Sequence, residues 1–303
     1  MQSDSKGGVC VEKMIVIVGT NASGKSNLGV RLAKKYNGEI ISADSRQIYR
    51  RMNLGSGKIT PEEMQGVPHH LLDVREPGEF FSMADFQHLA YEAADGIISR
   101  GAVPFLVGGT GLYVDSVADG YILSDKQHDP EYRAYLETLE TPVLYDMLKR
   151  ELPDTDIDPR NRHRVMRAVE RLHADDWEPA RKEPRYDILK IGVTWEREIL
   201  KKRIDERLRK RLDGGMVEEV RAMMEDGVDT VFLYKLGLEY RYLSRYILGE
   251  LDYDTMVKEL GDAIKKFAKR QMTWFRKDDR IHWLNMAEDP EREASSLIDA
   301  FLG

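Results

Sequence analysis

The sequence predicts an α/β fold in which a P-loop-type parallel sheet is flanked by helices and interrupted by a small helical insertion domain. Two observations lead to this prediction. Strand signals at residues 14–18, 39–44 and 103–107 alternate with helical patterns, which favours a parallel sheet with helices on both faces. A glycine-containing segment at residues 19–26 joins the first strand to the first helix, the position that phosphate-binding loops occupy.

The elements of the first half follow in order along the chain. Residues 14–18 are an uninterrupted apolar run, typical of a strand buried on both faces. Residues 82–99 carry apolar side chains at amphipathic helical spacing, with Ser82 placed to cap the helix and Gly101 placed to end it. The apolar run at residues 103–107 then returns the chain to the sheet.

The second half is predicted to contain the insertion and most of the long helices. Pro and Asp punctuate residues 124–184, which we interpret as the helical insertion domain, and residues 187–195 return to a strand pattern. Long helices are expected at residues 198–212, 216–225 and 255–277. The predicted domains are a flexible N-terminal extension at 1–12, a P-loop catalytic core at 13–123 and 185–303, and the insertion at 124–184.

The composition excludes several classes of protein. The 303 residues are 42% hydrophobic and 33% charged, which is typical of a globular chain rather than a disordered or membrane-embedded one. No apolar run approaches the roughly 20 residues that a membrane span needs. The single cysteine, Cys10, excludes an internal disulfide. Because the first dozen residues lack the apolar stretch of a signal peptide, a cytoplasmic protein is expected.

For the choice of binding partner, the distribution of charge along the chain is more informative than the net charge. The net charge of −7 by itself disfavours a nucleic-acid partner. However, residues 160–171, 197–211 and 258–280 are each rich in Lys and Arg. If the fold gathers them, they form a surface that binds phosphates, although each segment alone is more typical of a solvated helix face.

The segment at residues 19–26 matches the phosphate-loop motif G-x-x-x-x-G-K-[ST] at every fixed position. Its residues are Gly19, Thr20, Asn21, Ala22, Ser23, Gly24, Lys25 and Ser26. Between a strand and a helix, its backbone N–H groups converge on phosphate oxygens, Lys25 neutralises them, and the Ser26 hydroxyl holds Mg²⁺. The alternative is a glycine-rich turn that opens an ordinary helix, which this position in the chain disfavours.

A carboxylate stands at the end of the second strand. Asp44 follows the apolar pair Ile40-Ile41 and ends the strand predicted at residues 39–44. Because the ends of neighbouring parallel strands open onto one crevice, we expect Asp44 to face the bound phosphates. It could accept a proton from an attacking hydroxyl or amine, cap the following helix, or coordinate a metal, and the residue types leave these roles open.

The strand at residues 103–107 lacks a feature of nucleotide hydrolases. It ends in Gly-Gly-Thr-Gly rather than in the Asp that holds the water shell of the metal in such enzymes. This argues against a simple ATPase or GTPase, although Asp73 and Asp115 remain as substitutes for that role.

Five blocks of sequence resemble the tRNA dimethylallyltransferase family, also called the tRNA isopentenyltransferases. In order, they are residues 19–26, 40–49 (IISADSRQIY), 67–73 (VPHHLLD), 108–113 (GGTGLY) and 269–276 (KRQMTWFR). The resemblance extends from about residue 14 to residue 283. It implies transfer of a dimethylallyl group from dimethylallyl diphosphate to N6 of the adenosine 3′ to the anticodon of tRNAs, with release of diphosphate.

The resemblance also implies roles for individual residues. Asp44 would be the general base on the adenine amine, and Lys25 and Ser26 with Mg²⁺ would stabilise the departing diphosphate. Thr110 would line the channel in which the amine meets the allyl carbon. Arg207 lies on a basic helix where the family has a diphosphate-binding arginine, with Arg203 as its neighbour.

The expected partner is the tRNA anticodon stem-loop, bound by a monomer. The flipped adenine and its neighbours would be contacted by Asp44, Ser45, Arg46, Gln47 and Thr110. Further contacts are expected from Arg133, His163, Arg164, Arg167, Tyr240, Arg241, Lys269, Arg270 and Arg276. By contrast, His69 and His70 are expected to be hydrogen-bonded structural residues, and the Trp274-Phe275 pair is more typical of core packing than of base stacking.

Two positions depart from the family pattern. Thr20-Asn21 stands where Pro-Thr is common in the loop, and Glu239 precedes Tyr240 where Gly is usual. Two other activities stay open: an adenylate isopentenyltransferase, which the basic C-terminal helix disfavours, and a small-molecule kinase with ATP as donor. A catalytically silent RNA-binding module is disfavoured by the intact site residues.

Overall fold

The protein is described by a computed structural model that covers residues 11–122, 129–174 and 181–303. Its contacts divide the chain into two compact units. The first comprises the described residues up to Gly120 together with Pro184–Gly303, and the second lies within Tyr121–Glu183. Cys10 and most of the expected N-terminal extension lie outside the described residues.

The sheet of the first unit is parallel throughout its described pairings. Its strands are β1 (Lys13–Gly19), β2 (Gly38–Ala43), β3 (His69–His70), β4 (Val103–Gly108), β5 (Asp187–Thr194) and β6 (His282–Asn285). They are ordered β3-β2-β4-β1-β5-β6. β1 is therefore central, and the phosphate loop that follows it opens at the middle of the C-terminal edge of the sheet.

The helices lie between and after these strands. They are α1 (Lys25–Lys35), α2 (Pro61–Met64), α3 (Met83–Ser99), α4 (Gly111–Ala118), α5 (Pro130–Thr138), α6 (Thr141–Glu151), α7 (Arg162–His173), α8 (Arg197–Asp213), α9 (Met216–Glu225), α10 (Thr230–Leu236), α11 (Leu238–Ile247), α12 (Tyr253–Phe275) and α13 (Pro290–Leu302). α5, α6 and α7 belong to the second unit, and the others belong to the first.

The core of the first unit has one layer on each face of the sheet. In β1, Met14 and Val16 pack in the larger layer with side chains of α3 and α12, such as Leu260. Ile15 and Ile17 point to the opposite layer, which α1 and α13 cover. Because strand side chains alternate between faces, the continuous apolar run of β1 fills both layers at once.

The second unit has a small core of its own. α6 packs against α7, and α7 also contacts α5. The buried side chains are Leu136, Leu144, Leu148, Val165, Met166, Ala168 and Val169. The Asn161 side chain accepts a hydrogen bond from the Arg164 N–H and so caps α7.

The structure confirms the predicted fold class and most predicted elements. Ser82 caps α3 through a reciprocal capping box with Asp85, in which each side chain accepts the backbone N–H of the other residue. The sequence analysis missed β3 and β6, which have only two and four residues, too few for a periodic pattern. It also missed α13, although Asp289-Pro290 is a helix-start signal. No helix in the described ranges is both long and apolar enough to span a membrane.

Candidate active site

The phosphate loop forms the sharp turn from β1 into α1. Gly24 has φ +92, a left-handed conformation that a side chain rarely adopts, and α1 begins at the next residue without a side-chain cap. Thr20 and Ser23, which belong to the loop, are buried. The first N–H groups of the helix are therefore aimed at the space above the loop, where an anion completes their hydrogen bonding.

A pocket of about 370 Å³ lies on this loop and is strongly basic. Its lining residues are Ala22, Ser23, Gly24, Lys25, Ser26, Asn27, Gly57, Ile59, Glu63, Arg203, Glu206, Arg207 and Lys210. The pKa of Lys25 is lowered to about 8, chiefly by burial; Asp44 opposes this shift, whereas Arg207 and Arg46 add to it. A cation held among other cations is destabilised until an anion arrives, so the pocket is suited to a phosphate-bearing ligand.

Two arginines of α8 organise this pocket. The Arg203 Nε donates to the Ala22 carbonyl at 3.0 Å, and its guanidinium lies 4.6 Å from the ring centre of Trp195. The Trp195 indole in turn donates to the Ser23 carbonyl at 2.9 Å. Arg207 Nη2 donates to the Gly57 carbonyl at 3.1 Å. Arg203 is thus tied to the loop backbone, whereas Arg207 is exposed in the pocket.

Asp44 and Thr110 meet at the same edge of the sheet. Asp44 Oδ1 accepts the Arg46 N–H at 3.1 Å, a local turn that orients the carboxylate. Thr110 Oγ1 accepts the Ser45 N–H at 3.1 Å, and the Thr110 N–H donates to the Ala43 carbonyl at 3.1 Å. These bonds tie the turn after β4 to the turn after β2.

A smaller cavity connects Asp44 to the phosphate loop. It is lined by Lys25, Ser26, Ile40, Ser42, Asp44, Gln47, Ile59, His69, Val107 and Gly108. The structure therefore brings the Lys25 ammonium and the Ser26 hydroxyl of the phosphate loop together with the Asp44 carboxylate, which the sequence placed in a separate motif. Asp44 is available for proton transfer as well as for the turn, since only its Oδ1 is engaged in the described hydrogen bonds.

Sequence reasoning missed Gln271 as a member of this site. Its side chain comes from α12, is 7% exposed, accepts the Asn21 N–H at 2.9 Å and donates to the Gly109 carbonyl at 2.8 Å. A Cβ at Gly109 would lie 2.5 Å from Gln271 Nε2, so only glycine permits this approach. The signal was present in the KRQMTWFR block, but nothing in that block showed what the amide would touch.

A buried ion network lies behind the Asp44 turn. Glu239, only 1% exposed, binds Arg46 at 2.6 Å and Arg211 at 3.1 Å. Burial alone would raise the pKa of Glu239, but the two arginines hold it below its usual value. Arg211 also donates to the Leu54 and Gly55 carbonyls. Glu239, which stands where Gly is usual in the family pattern, therefore places a counter-ion for the two arginines in the core.

The burial of Arg46 and Tyr240 bears on two of the expected RNA contacts. Arg46 is 7% exposed and ion-paired, and Tyr240 is fully buried, with its ring against Gly55. Tyr240 has no surface accessible to a ligand in this structure, and we assign its side chain to support of the site. Arg46 is mostly buried but lines the groove on α11 and α12, so its expected contact with RNA stays a prediction.

The exposed cations of α11 and α12 border an open groove of about 630 Å³. Its lining includes Ser45, Arg241, Lys266, Phe267 and Arg270. The Phe267 ring lies between two guanidinium groups, 5.5 Å from that of Arg46 and 5.6 Å from that of Arg270. Lys269 is exposed on α12, and Arg276 is exposed directly after it. Cations beside an aromatic ring form the kind of surface on which RNA phosphates and bases bind.

The remaining residues that were expected to contact RNA lie in the second unit and differ in how exposed and how paired they are. His163, Arg164 and Arg167 are exposed on α7 of the second unit. Arg133 of the same unit is paired with Glu170 at 2.7 Å and with Glu137 at 3.3 Å, which supports a structural role.

The structure also shows the contacts of the two histidines, His69 and His70, and the surroundings of the Trp274-Phe275 pair. His69 bonds the Val67 carbonyl at 2.8 Å and His70 bonds Glu39 at 2.6 Å, as expected for structural histidines. Phe275 is buried as expected, but Trp274 is 42% exposed and donates to Asp115 at 2.8 Å.

The two aspartates considered for a hydrolase metal site are engaged elsewhere. Asp115 accepts the Trp274 indole N–H, and Asp73 is paired with Lys58 at 2.5 Å. Across the described residues, no group of three or more His, Cys, Asp and Glu side chains could hold a metal ion by itself.

Comparisons with known proteins identify the family of this chain. The family model described as IPP transferase matches residues 47–278. The chain is 43% identical to tRNA dimethylallyltransferase 2 of Citrifermentans bemidjiense over 299 residues, covering 95% of each chain. It is 40% identical to the tRNA dimethylallyltransferase of Geobacillus thermodenitrificans over 303 residues, covering 96% of this chain and 95% of the relative.

Solved structures give the same result. The full-length tRNA isopentenylpyrophosphate transferase of Bacillus halodurans matches with a TM-score of 0.74 at 37% identity, covering 96% of each chain. A eukaryotic dimethylallyltransferase acting on tRNA shares the fold, with a TM-score of 0.82 at 23% identity over 96% of this chain and 79% of the other. On its sequence and on its fold, this chain belongs to the tRNA dimethylallyltransferase family.

Proposed function

We propose that this protein transfers a dimethylallyl group from dimethylallyl diphosphate to N6 of the adenosine 3′ to the anticodon of tRNAs, releasing diphosphate. The observation that carries the proposal is the meeting of the basic phosphate-loop pocket with Asp44 and Thr110 at one edge of the sheet. Family membership favours this reaction over an adenylate isopentenyltransferase or a kinase with ATP as donor.

The phosphate loop binds the diphosphate of the donor. Backbone N–H groups at the start of α1, the Lys25 ammonium and the Arg207 guanidinium surround it with positive charge. As the allyl C1–O bond breaks, negative charge grows on the departing oxygen. Preorganised cations and N–H dipoles stabilise that charge more than they stabilise the ground state, which is how such a site accelerates the reaction.

Asp44 acts on the acceptor. The adenine N6 amine is a weak nucleophile and is buried in the base stack, so the base must be turned out before it attacks. The N6 nitrogen forms a bond to C1 of the allyl group while C1 loses the diphosphate, and the surplus N6 proton passes to Asp44. Thr110, held by Ser45, lines the place where the two reactants meet.

Mg²⁺ fits the donor set of the site. The Ser26 hydroxyl is exposed at the loop and the Asp44 carboxylate lines the cavity beside it. Mg²⁺ is characteristically held by one or two protein oxygens, substrate phosphates and water, so this sparse set is sufficient. When bound, the ion would neutralise charge on the diphosphate.

The RNA is proposed to bind on the exposed cations of α11 and α12 and on those of α7. The first group comprises Arg241 and Arg270, which line the groove, together with Lys269 of α12 and Arg276 directly after α12. The second group comprises His163, Arg164 and Arg167. Family membership and the exposure of these cations support tRNA as the partner, although the chain as a whole carries a net charge of −7.

The reaction is tested by mass spectrometry of an anticodon stem-loop incubated with the protein, Mg²⁺ and dimethylallyl diphosphate. We expect the RNA to gain one dimethylallyl group in place of one hydrogen at the adenosine 3′ to the anticodon. AMP as acceptor and ATP as donor are run in parallel. Efficient modification of AMP but not of the RNA, or phosphorylation from ATP, would overturn the proposal.

A further inference from the structure

One buried amide joins the two loops of the site. Gln271 accepts the Asn21 N–H of the phosphate loop at 2.9 Å and donates to the Gly109 carbonyl, in the turn after β4, at 2.8 Å. The two partners differ, since one is a donor and the other an acceptor, and they lie on the loops that follow adjacent strands of the sheet. Only a carboxamide of this length satisfies both.

We propose that Gln271 is a positioning residue that sets the separation of the phosphate loop from the Gly109-Thr110 turn. This inference rests on the proposed function, in which the phosphate loop holds the leaving group and Thr110 lines the path of the attacking amine. The distance between the two loops then fixes the alignment of the attacking nitrogen, the allyl carbon and the departing oxygen.

The surroundings of Gln271 support a role in alignment. The side chain is 7% exposed, and α12 is held near the site by a second contact, from Trp274 to Asp115 of α4. Gly109 has no room for a Cβ beneath the amide, so the approach of Gln271 to the turn is tight. Gln271 lies in neither of the cavities assigned to the reactants, so its effect on the reaction must be indirect.

This geometry predicts an effect on turnover rather than on binding. Loss of both hydrogen bonds leaves the cations that bind diphosphate and the surface that binds RNA in place. A misplacement of reacting groups by about 1 Å costs about 100-fold in rate. We therefore expect Gln271→Met to lower kcat by about 10-fold to 100-fold, with the KM values of both substrates changed by less than about 3-fold.

A second variant separates alignment from folding. Gln271→Glu keeps an acceptor for the Asn21 N–H but loses the donor to Gly109, so its kcat should fall between those of the wild type and Gln271→Met. Thr273→Ala, an exposed change two residues along the same helix, serves as the matched control and should leave kcat unchanged. Thermal unfolding of each variant reports on the fold.

Hydrogen exchange gives a readout that does not depend on activity. The Asn21 amide loses its acceptor in Gln271→Met, so its exchange should become at least about 10-fold faster than in the wild type, while Gln271→Glu keeps it slow. Unchanged exchange at Asn21, or a rise in KM at constant kcat, would overturn the positioning role. Failure of the wild type to modify the stem-loop would overturn the proposed function instead, and the exchange result would still decide whether Gln271 holds the loop.

Discussion

The phosphate loop and the α11–α12 surface present positive charge in different ways. In the loop, the charge comes from one short motif: Lys25 is buried and its pKa is lowered to about 8. The backbone around it is fixed by a hydrogen bond that Arg203 donates to the Ala22 carbonyl and by one that Gln271 accepts from the Asn21 N–H. On α12, Lys269 and Arg270 are exposed, and folding brings Arg270 into one groove with Arg241. The comparison indicates that a compact ligand is bound by charges held in fixed positions. An extended ligand is instead bound by charges distributed over a solvent-exposed surface.

The largest effect is expected from the carboxylate that serves the reaction itself. Asp44→Asn keeps the size of the side chain and can still accept the Arg46 N–H, but it cannot take the N6 proton. We expect kcat to fall by about 1,000-fold, within the range for loss of a general base, with little change in affinity for the stem-loop. Single-turnover transfer and a binding titration measure the two quantities. Near-normal turnover would remove Asp44 as the base.

The buried cation makes donor use dependent on pH. Lys25 has a pKa lowered to about 8, so above that pH the free protein loses the ammonium that attracts diphosphate. We expect kcat/KM for dimethylallyl diphosphate to fall as pH rises through about 8. In Lys25→Met that fall should be absent, and the value should be lower by about 100-fold at neutral pH. The same fall in Lys25→Met would assign it to another group.

Lys25 gives folding stability the opposite dependence on pH. The pKa of Lys25 is lower in the folded state than its ordinary value of 10.5, so the unfolded chain binds more protons between about pH 8 and pH 10.5. Relative to Lys25→Met, the wild type should therefore gain stability as pH rises through this window. Urea unfolding of both proteins across the window measures the difference.

The ion network behind the site should matter for stability more than for chemistry. Glu239→Ala leaves Arg46 and Arg211 buried without their shared counter-ion. Breaking a buried pair in this way costs about 3 to 5 kcal/mol. Urea unfolding measures it, with the exposed pair variant Glu76→Ala as a control that should cost no more than about 1 kcal/mol. Equal costs would contradict a core role for Glu239.

The smallest effect per residue is expected on the solvated surface. Replacing Lys269 and Arg270 by Gln should weaken stem-loop binding and reduce the slope of log K against log salt by about 1.5, since each phosphate contact contributes about 0.7 to 0.9. Exposed Lys34, at the far end of α1, supplies the control variant Lys34→Gln. An unchanged slope in the double variant would place α12 away from the RNA.

The same contrast explains how much the sequence could predict. The phosphate loop, the strand before it, Asp44 and the Ser82 cap are local patterns, and all are found at the expected places. Gln271 reaches a partner 250 residues away, and Arg46 meets Glu239 across 193 residues. No local pattern encodes such contacts. An RNA contact by Tyr240 was expected from resemblance alone, and the packing of distant segments buries that side chain completely.

The order of the strands also has a consequence for biosynthesis. β1 pairs on one side with β4 and on the other with β5, which lies beyond the whole second unit in the chain. As the nascent protein emerges from the ribosome, one edge of β1 stays unpaired until residue 194 has been made. Trp195, which holds the Ser23 carbonyl, arrives only then. We therefore expect the phosphate loop to be completed late in translation, whereas α5, α6 and α7 can assemble earlier through short-range contacts.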